Sequence, residues 1–144
     1  MKRGRGFAFT LIELLIVLAI LGIAMSFAAP KLGERAAKGD IQSAFFKELL
    51  EEHLQYAREE GVPITIIGFK GTANMEKYSG ERVSIPNVKS ILSARINEEN
   101  TIGLEYHINV YPDGICDYFE LETDRKVLIT SKPLLMTVFR RETE

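Results

Sequence analysis

The feature that most constrains this chain is an almost uninterrupted apolar run from Phe9 to Ala29, which contains a single acidic residue, Glu13. A helix rises about 1.5 Å per residue, so the run is about long enough to cross the roughly 30 Å hydrocarbon core of a bilayer. The sequence MKRGRG at the N-terminus is basic and contains no acid, which is typical of a cytoplasmic flank. The run therefore predicts a transmembrane helix over residues 9–30 with its N-terminus in the cytoplasm.

A secretory signal peptide is the alternative interpretation of this segment. The basic residues could form its n-region, and the small residues of SFAA could form its cleavage site. The length of the apolar run, the acid Glu13 within its first turns and Pro30 directly after the site all argue against ordinary removal.

Glu13 itself requires an explanation, because an isolated charge in a membrane helix costs roughly 2.5 to 3.5 kcal/mol on insertion scales. The simpler alternative is that the Glu13 side chain extends to the lipid headgroups and has no specific partner. Intramembrane acids are functional by default, so we expect Glu13 to have a partner.

The remainder of the chain resembles an ordinary soluble module and carries no motif of a known catalytic or cofactor site. The formal net charge is -2, which gives no electrostatic reason to expect nucleic-acid binding. Cys116 is the only cysteine, and His53 and His107 lie far apart in sequence, so we expect these residues to be structural. We therefore expect no enzyme activity, no cofactor and no metal, and we interpret the acids near residues 113–124 as a solvated hairpin: Asp113, Asp117, Glu120, Glu122 and Asp124.

After Pro30 the helical pattern continues over residues 31–61, with a broad apolar arc that includes Ile41, Phe45, Leu49, His53 and Tyr56. The sequence Gly61-Val62-Pro63 combines a C-cap residue with a helix stop. Gly22 and Pro30 weaken the helix interior, so we expect the helix to bend there.

From residue 62 onward the composition becomes β-branched with a period of two. The strand candidates are ITIIGF, RVSI, IGLEYHINVY, DYFELET, KVLIT and LLMTVF. The turn sequence YPDG predicts a hairpin between the strands that flank it, and TANMEKYSGE is predicted to be an irregular loop. The predicted fold class is α+β, in which the amphipathic half of one long N-terminal helix packs on an antiparallel β-sheet domain over residues 62–144.

The residues AFTLIELLIVLAILGI resemble the N-terminal signature of type IV prepilins and of the pseudopilins of type II secretion. This resemblance implies a leader peptide over residues 1–8, cleavage between Ala8 and Phe9 by prepilin peptidase, and N-methylation of Phe9. Most family members have glycine at the position of Ala8, and a cut before Phe7 would move Glu13 out of register. The resemblance also implies that Glu13 pairs with the new amine of a neighbouring subunit and that Pro30 bends the helix.

Two further motifs are similar to H-type minor pseudopilins and to the related FimT-like pilins: IQSAFFKELLEEHLQYAREEGVPITI and INVYPDG. They imply a pilin-like fold and a structural subunit of a type II secretion pseudopilus, anchored by one helix in the inner membrane with its C-terminal domain in the periplasm. Its partners would be prepilin peptidase, other pseudopilins or pilins, and the inner-membrane assembly platform.

Two alternatives stay open on the sequence. One is a minor type IV pilin that acts in adhesion, motility or DNA uptake, for which Arg140 and Arg141 in the sequence FRRETE could hold phosphates. The acids Glu142 and Glu144 follow at once, so we interpret FRRETE as a solvated chain end and expect no nucleic-acid binding. The other alternative is a membrane-tethered binding domain.

Overall fold

The structure, a computed structural model, describes residues 10–143, and for residues 24–40 it describes the backbone alone. The chain divides into two compact units, Met1–Ala37 and Lys38–Glu144. The predicted leader over residues 1–8 lies outside the described residues.

One long α-helix, α1, extends over Leu11–Glu60. At its N-terminus Thr10 precedes the helix, and the backbone N–H of Glu13 donates to the Thr10 carbonyl oxygen at 3.0 Å. At its C-terminus Gly61 has a φ of 70° and its N–H donates to the carbonyl oxygen of Ala57 at 2.9 Å. The prediction that the helix ends near Gly61 is confirmed, because this left-handed φ is one that glycine adopts without steric cost.

Among the described residues, nine strands and a short 3₁₀ helix follow α1. They are β1 (Ile64–Phe69), β2 (Asn74–Glu76), β3 (Arg82–Ser84), β4 (Ile91–Ile96), β5 (Glu99–Asn100), β6 (Glu105–Val110), β7 (Phe119–Thr123), β8 (Val127–Lys132), the 3₁₀ helix Pro133–Leu135 and β9 (Thr137–Glu142). The strands form two sheets with the orders β3-β2-β1-β6 and β5-β4-β7-β8-β9, and every pairing is antiparallel. The predicted α+β class with antiparallel sheets is confirmed for the described residues.

The apolar arc of α1 packs with both sheets in a single core. Phe46 and Leu50 on α1 are fully buried, and the ring centroid of Phe46 lies 5.6 Å from that of Phe119 on β7. Ile66 on β1 and Ile108 on β6 belong to the same cluster. Buried and half-buried residues alternate strictly along β1, so one face of that strand lies in this core. Ile41 is an exception to the predicted arc, because its side chain is exposed.

The YPDG turn forms, and the predicted hairpin is present only next to it, where Val110 and Cys116 form an antiparallel bridge and the Asp117 N–H donates to the Asn109 carbonyl oxygen at 2.9 Å. The N–H of Tyr111 donates to the Ile115 carbonyl oxygen at 2.9 Å, and the N–H of Gly114 donates to the Tyr111 carbonyl oxygen at 3.1 Å. The strands on either side then join different sheets, β6 beside β1 and β7 between β4 and β8. Partners distant in sequence therefore decide the pairing, although the turn itself follows local residue preferences.

Other predictions about the strands also need correction. The segment predicted as an irregular loop contains β2, and β4 was not predicted. The strand predicted from Ile102 begins at Glu105, since Gly103 has a φ of 86°, which is outside the extended conformation of a strand. The strand predicted from Leu134 begins at Thr137, because Pro133 opens a 3₁₀ helix instead.

Candidate functional site

The N-terminal part of α1 is the first candidate site, because its apolar side chains are turned outward. Large aliphatic side chains between Leu11 and Ile23 are exposed on every side of the helix: Leu11, Ile12, Leu14, Leu15, Ile16, Val17, Leu18, Ile20, Leu21 and Ile23. In a folded protein a helix that is apolar all round is normally surrounded by other apolar material. Among the described residues, none of the helices combines the length and the apolar character needed to cross a bilayer.

Glu13 lies in the first turn of this helix with its side chain exposed. Its backbone N–H lies 3.4 Å from the Thr10 hydroxyl oxygen, which accepts a hydrogen bond from it. A hydroxyl residue followed three places later by glutamate is the capping-box pattern, and a negative charge in the first turn interacts favourably with the helix dipole. Thr10 was not among the predicted site residues, and the T-x-x-E spacing is the signal in the sequence that indicates this cap.

The other predicted N-terminal site residues are distributed as follows. Ala8 and Phe9, the predicted cleavage and methylation residues, lie outside the described residues. Gly22 lies within α1, where an added Cβ would meet no other atom within 4 Å. Pro30 falls within the range of α1, but its side chain lies outside the described residues, so the bend there stays a prediction. The predicted membrane helix over residues 9–30 likewise extends beyond the described side chains.

His53 is a buried structural residue, as expected. Its Nε2 accepts a hydrogen bond from the Tyr78 backbone N–H at 3.1 Å, so Nδ1 carries the proton and donates to the Leu49 carbonyl oxygen at 2.7 Å. Burial lowers the pKa of His53, outweighing the opposite effect of its hydrogen bond to Leu49. Both ring nitrogens are committed within the domain, and His107 is exposed on β6.

Cys116 is buried, and burial raises the pKa of its thiol to about 11, with a smaller contribution from the charge of Asp117. The thiolate is the reactive form of cysteine, so this thiol is poorly suited to nucleophilic chemistry near neutral pH.

The prediction of a solvated acidic hairpin is wrong for Asp117. Its side chain is buried and accepts hydrogen bonds from the Asn97 side-chain amide at 3.1 Å, the Asn109 backbone N–H at 2.8 Å and the Tyr111 hydroxyl at 3.0 Å. These partners lie in three different segments. Asp117 therefore ties the end of β4 to β6 and to the turn that follows β6, and these donors compensate for the cost of burying its carboxylate.

The neighbouring acids also have structural partners. Glu120 binds Arg95, with 2.8 Å between the carboxylate oxygen and Nη1, and Asp124 accepts from the backbone N–H groups of Lys89 at 3.2 Å and Ser90 at 3.4 Å. Ser93 donates to Glu122 at 2.8 Å. Among the described residues, no group of three or more His, Cys, Asp or Glu side chains is arranged to hold a metal ion.

The first four residues of FRRETE belong to β9, where Arg141 and Glu142 are exposed to solvent as predicted, and Glu144 lies outside the described residues. Arg140 pairs with Ile129 of β8, and Arg141 pairs with Leu128. Since successive side chains of a strand point to opposite faces, the two guanidinium groups do not converge on one phosphate.

Comparison with known proteins gives one match. A family model described as the prokaryotic N-terminal methylation motif matches residues 1–29. No curated protein matches the chain, and no solved structure matches it. The matched motif supports a type IV pilin-like protein, and it implies processing by prepilin peptidase, a membrane-anchored N-terminus and assembly with other pilin subunits.

Proposed function

We propose that this chain is a minor pseudopilin, a structural subunit of a type II secretion pseudopilus. The observation that carries the proposal is the contrast within α1 between an N-terminal part whose apolar side chains are exposed and a C-terminal part whose apolar side chains lie in a core. The methylation motif coincides with the exposed part. The H-type motifs of the sequence favour a minor pseudopilin over other pilin-like proteins.

The exposed apolar segment fits a subunit that moves between two apolar environments. Lipid would surround the segment while the subunit is stored in the inner membrane. The equivalent helices of neighbouring subunits would surround it in the filament. Either environment removes the apolar area from water, at about 25 cal/mol per Å².

Glu13 would act during the transfer from membrane to filament. Cleavage before Phe9 creates a positive α-amino group near the start of α1, and the Glu13 carboxylate of one subunit would pair with this amine on the next. Such a pair out of water needs good geometry to offset its desolvation, so its main contribution would be to fix the axial register of subunits. The capping contact between Thr10 and Glu13 holds the first helical turn from which the carboxylate projects.

The test is the variant Glu13→Val, expressed with its partner pseudopilins. It should insert and be cleaved, because an apolar residue removes an insertion penalty, yet it should fail to co-purify with the other subunits. Glu13→Asp should retain part of the assembly. The matched control is Glu51→Val on the exposed face of the same helix, which should assemble normally. Wild-type recovery of Glu13→Val with its partners would contradict the role of Glu13.

Processing is tested on the same preparations by intact-mass analysis. The mature chain should begin at Phe9 and carry an N-methyl group. A chain that begins at Phe7 or Ala29 would contradict the proposed processing.

The alternative, a minor type IV pilin in DNA uptake, is distinguished by a gel-shift measurement. We expect no shift of duplex DNA near physiological salt, because Arg140 and Arg141 are adjacent on β9 and could neutralise about two phosphates at most. Binding that persists at this salt concentration and is lost when both arginines are replaced by alanine would favour the DNA-uptake pilin. Genes for a secretion ATPase and an outer-membrane secretin beside this gene would favour secretion.

A further inference from the structure

The outer edge of β6 carries backbone groups that the domain leaves unpaired. β6 is the last strand of its sheet, and β1 pairs with its inner side. The N–H of Asn109 binds the Asp117 carboxylate and the Asn109 carbonyl oxygen accepts from the Asp117 N–H, so both backbone groups of Asn109 point outward. In an antiparallel strand the backbone N–H and C=O groups of successive residues point to opposite sides. Those of Glu105 and His107, four and two residues before Asn109, therefore also point outward. Among the described residues they have no hydrogen-bond partner.

The loop before β6 adds apolar side chains that the domain does not bury. Ile102 is 98% exposed and Leu104 is 75% exposed. An open groove of about 640 Å³ extends from this loop along the β6 edge to Ile96 on β4, and Glu105 and His107 form part of its wall. The apolar pattern of residues 102–104 is that of a buried strand, yet nothing in residues 41–143 covers it.

Three acidic residues lie in the segments that form the groove, and the neighbouring Arg95 is paired with Glu120. Glu105 lines the groove, and Glu98 and Glu99 lie between Ile96 and Thr101, both of which also line it. None of these three carboxylates forms an ion pair with another described residue. The amine of Lys70 is engaged at the loop itself, where it donates to the Thr101 carbonyl oxygen at 2.7 Å.

We propose that this groove binds an extended segment of a partner protein in which apolar and basic residues alternate. The segment adds as a strand to β6, where the outward N–H and C=O groups of Glu105 and His107 give it main-chain hydrogen bonds. Its apolar side chains cover Ile102 and Leu104, and its basic side chains meet the three carboxylates. A second copy of this chain is the poorer occupant, because it would bring the same three acidic residues against those of the first. The proposal does not depend on the proposed filament role.

The experiment uses the full chain in detergent and three synthetic peptides. The first alternates valine and lysine, the second replaces its lysines with glutamate, and the third keeps the lysines but has prolines at its central positions. Fluorescence anisotropy should show binding of the first peptide, at least about tenfold weaker binding of the second from like-charge repulsion, and weaker binding of the third, since proline lacks the N–H needed for strand addition. Hydrogen exchange of the amides of Glu105 and His107 should slow only with the first peptide.

Variants separate the groove from general charge attraction. Glu105→Lys should weaken binding of the lysine peptide by about tenfold or more, and Ile102→Ser should weaken it without lowering the melting temperature. The charge-matched control Glu60→Lys, at the exposed end of α1, should bind as the wild type does. Equal binding of the lysine and glutamate peptides, protection at a strand other than β6, or no binding at all would overturn the proposal. Protection of Glu105 and His107 that depends on protein concentration without peptide would also overturn it, in favour of a second copy.

Discussion

Leu15 and Leu49 lie on the same helix, yet Leu15 is 58% exposed and Leu49 is 3% exposed. Their helix propensities are identical, so the difference comes from what surrounds them. Around Leu49 the two sheets cover the helix and the chain completes its own core. Around Leu15 no described part of the chain provides such cover. One helix thus contributes a buried apolar face at one end and carries exposed apolar side chains at the other.

The largest expected effect is a difference between Leu49→Ala and Leu15→Ala. Leu49→Ala should lower the free energy of unfolding of the domain by about 2–5 kcal/mol, since it leaves a cavity in the core. Leu15→Ala should change the same quantity by less than about 0.5 kcal/mol. Urea unfolding of the detergent-solubilised chain, monitored through the hydrogen exchange of residues 41–143, measures both changes in free energy. Equal losses would mean that the two parts of α1 are not distinct in the way described.

The second comparison is between Gly68 in the folded domain and Gly22 in the N-terminal part of α1. An added Cβ at Gly68 on β1 would lie 2.0 Å from the Tyr106 Cζ atom, whereas at Gly22 it would meet nothing within 4 Å. Gly68→Ala should therefore destabilise the domain by about 1–3 kcal/mol, because the Tyr106 ring must leave its position. Gly22→Ala should leave the stability of the domain unchanged. A melting temperature unaffected by Gly68→Ala would show that the ring has room to shift.

Acid should weaken the domain through His53. Its pKa in the folded state is below the ordinary 6.5, so the unfolded chain binds a proton at a pH where the folded chain does not. The stability from this group is fully present above pH 6.5 and is lost as the pH falls from there towards the folded pKa, with a limiting slope of about 1.4 kcal/mol per pH unit for one proton. Burial is the largest cause of this lowered pKa and Lys77 acts in the same direction, while the hydrogen bond to Leu49 and the charge of Glu52 oppose them.

The measurement is urea unfolding at a series of pH values with two variants. His53→Gln should reduce the slope between pH 6.5 and the folded pKa, and His107→Gln, which replaces the exposed histidine on β6, is its matched control. An unchanged slope in His53→Gln would assign the acid sensitivity to other groups.

The smallest expected effect is at Tyr106, whose buried hydroxyl has no hydrogen-bond partner among the described residues. Tyr106→Phe keeps the ring over Gly68 and removes an unpaired polar group, so stability should stay the same or rise by about 1 kcal/mol. Thermal unfolding measures the change. A loss larger than this would mean that the hydroxyl has a partner, such as a buried water.

Local features of the fold could be predicted from the sequence. ITIIGF is β1 over its full predicted length, since β-branched residues and alternation both favour a strand there. Gly61 ends α1 as predicted because its conformation depends on the residue itself. The T-x-x-E cap at Thr10 and Glu13 is equally local.

Features that depend on distant partners could not be predicted in the same way. The sheets that the strands before and after YPDG join are decided by β1 for β6 and by β4 and β8 for β7, not by the turn. Asp117 looks like a surface acid in sequence, and only the donors of Asn97, Asn109 and Tyr111 make its burial possible. β4 was missed because two of its first three residues are exposed and its alternation is broken by a register shift between Ile91 and Ser93.

The pairing of β1 with β6 also sets the order of events during synthesis. Ile66 lies opposite Ile108, and β2 to β5 must all be made before the two can meet. Synthesis adds about 5–20 residues per second, so seconds pass between the synthesis of β1 and that of β6. During this time the core residues Phe46, Leu50 and Ile66 are exposed to solvent. Long-range pairing of this kind is intrinsically slow. The newly made subunit is consequently exposed to aggregation and proteolysis at least until β6 has been made.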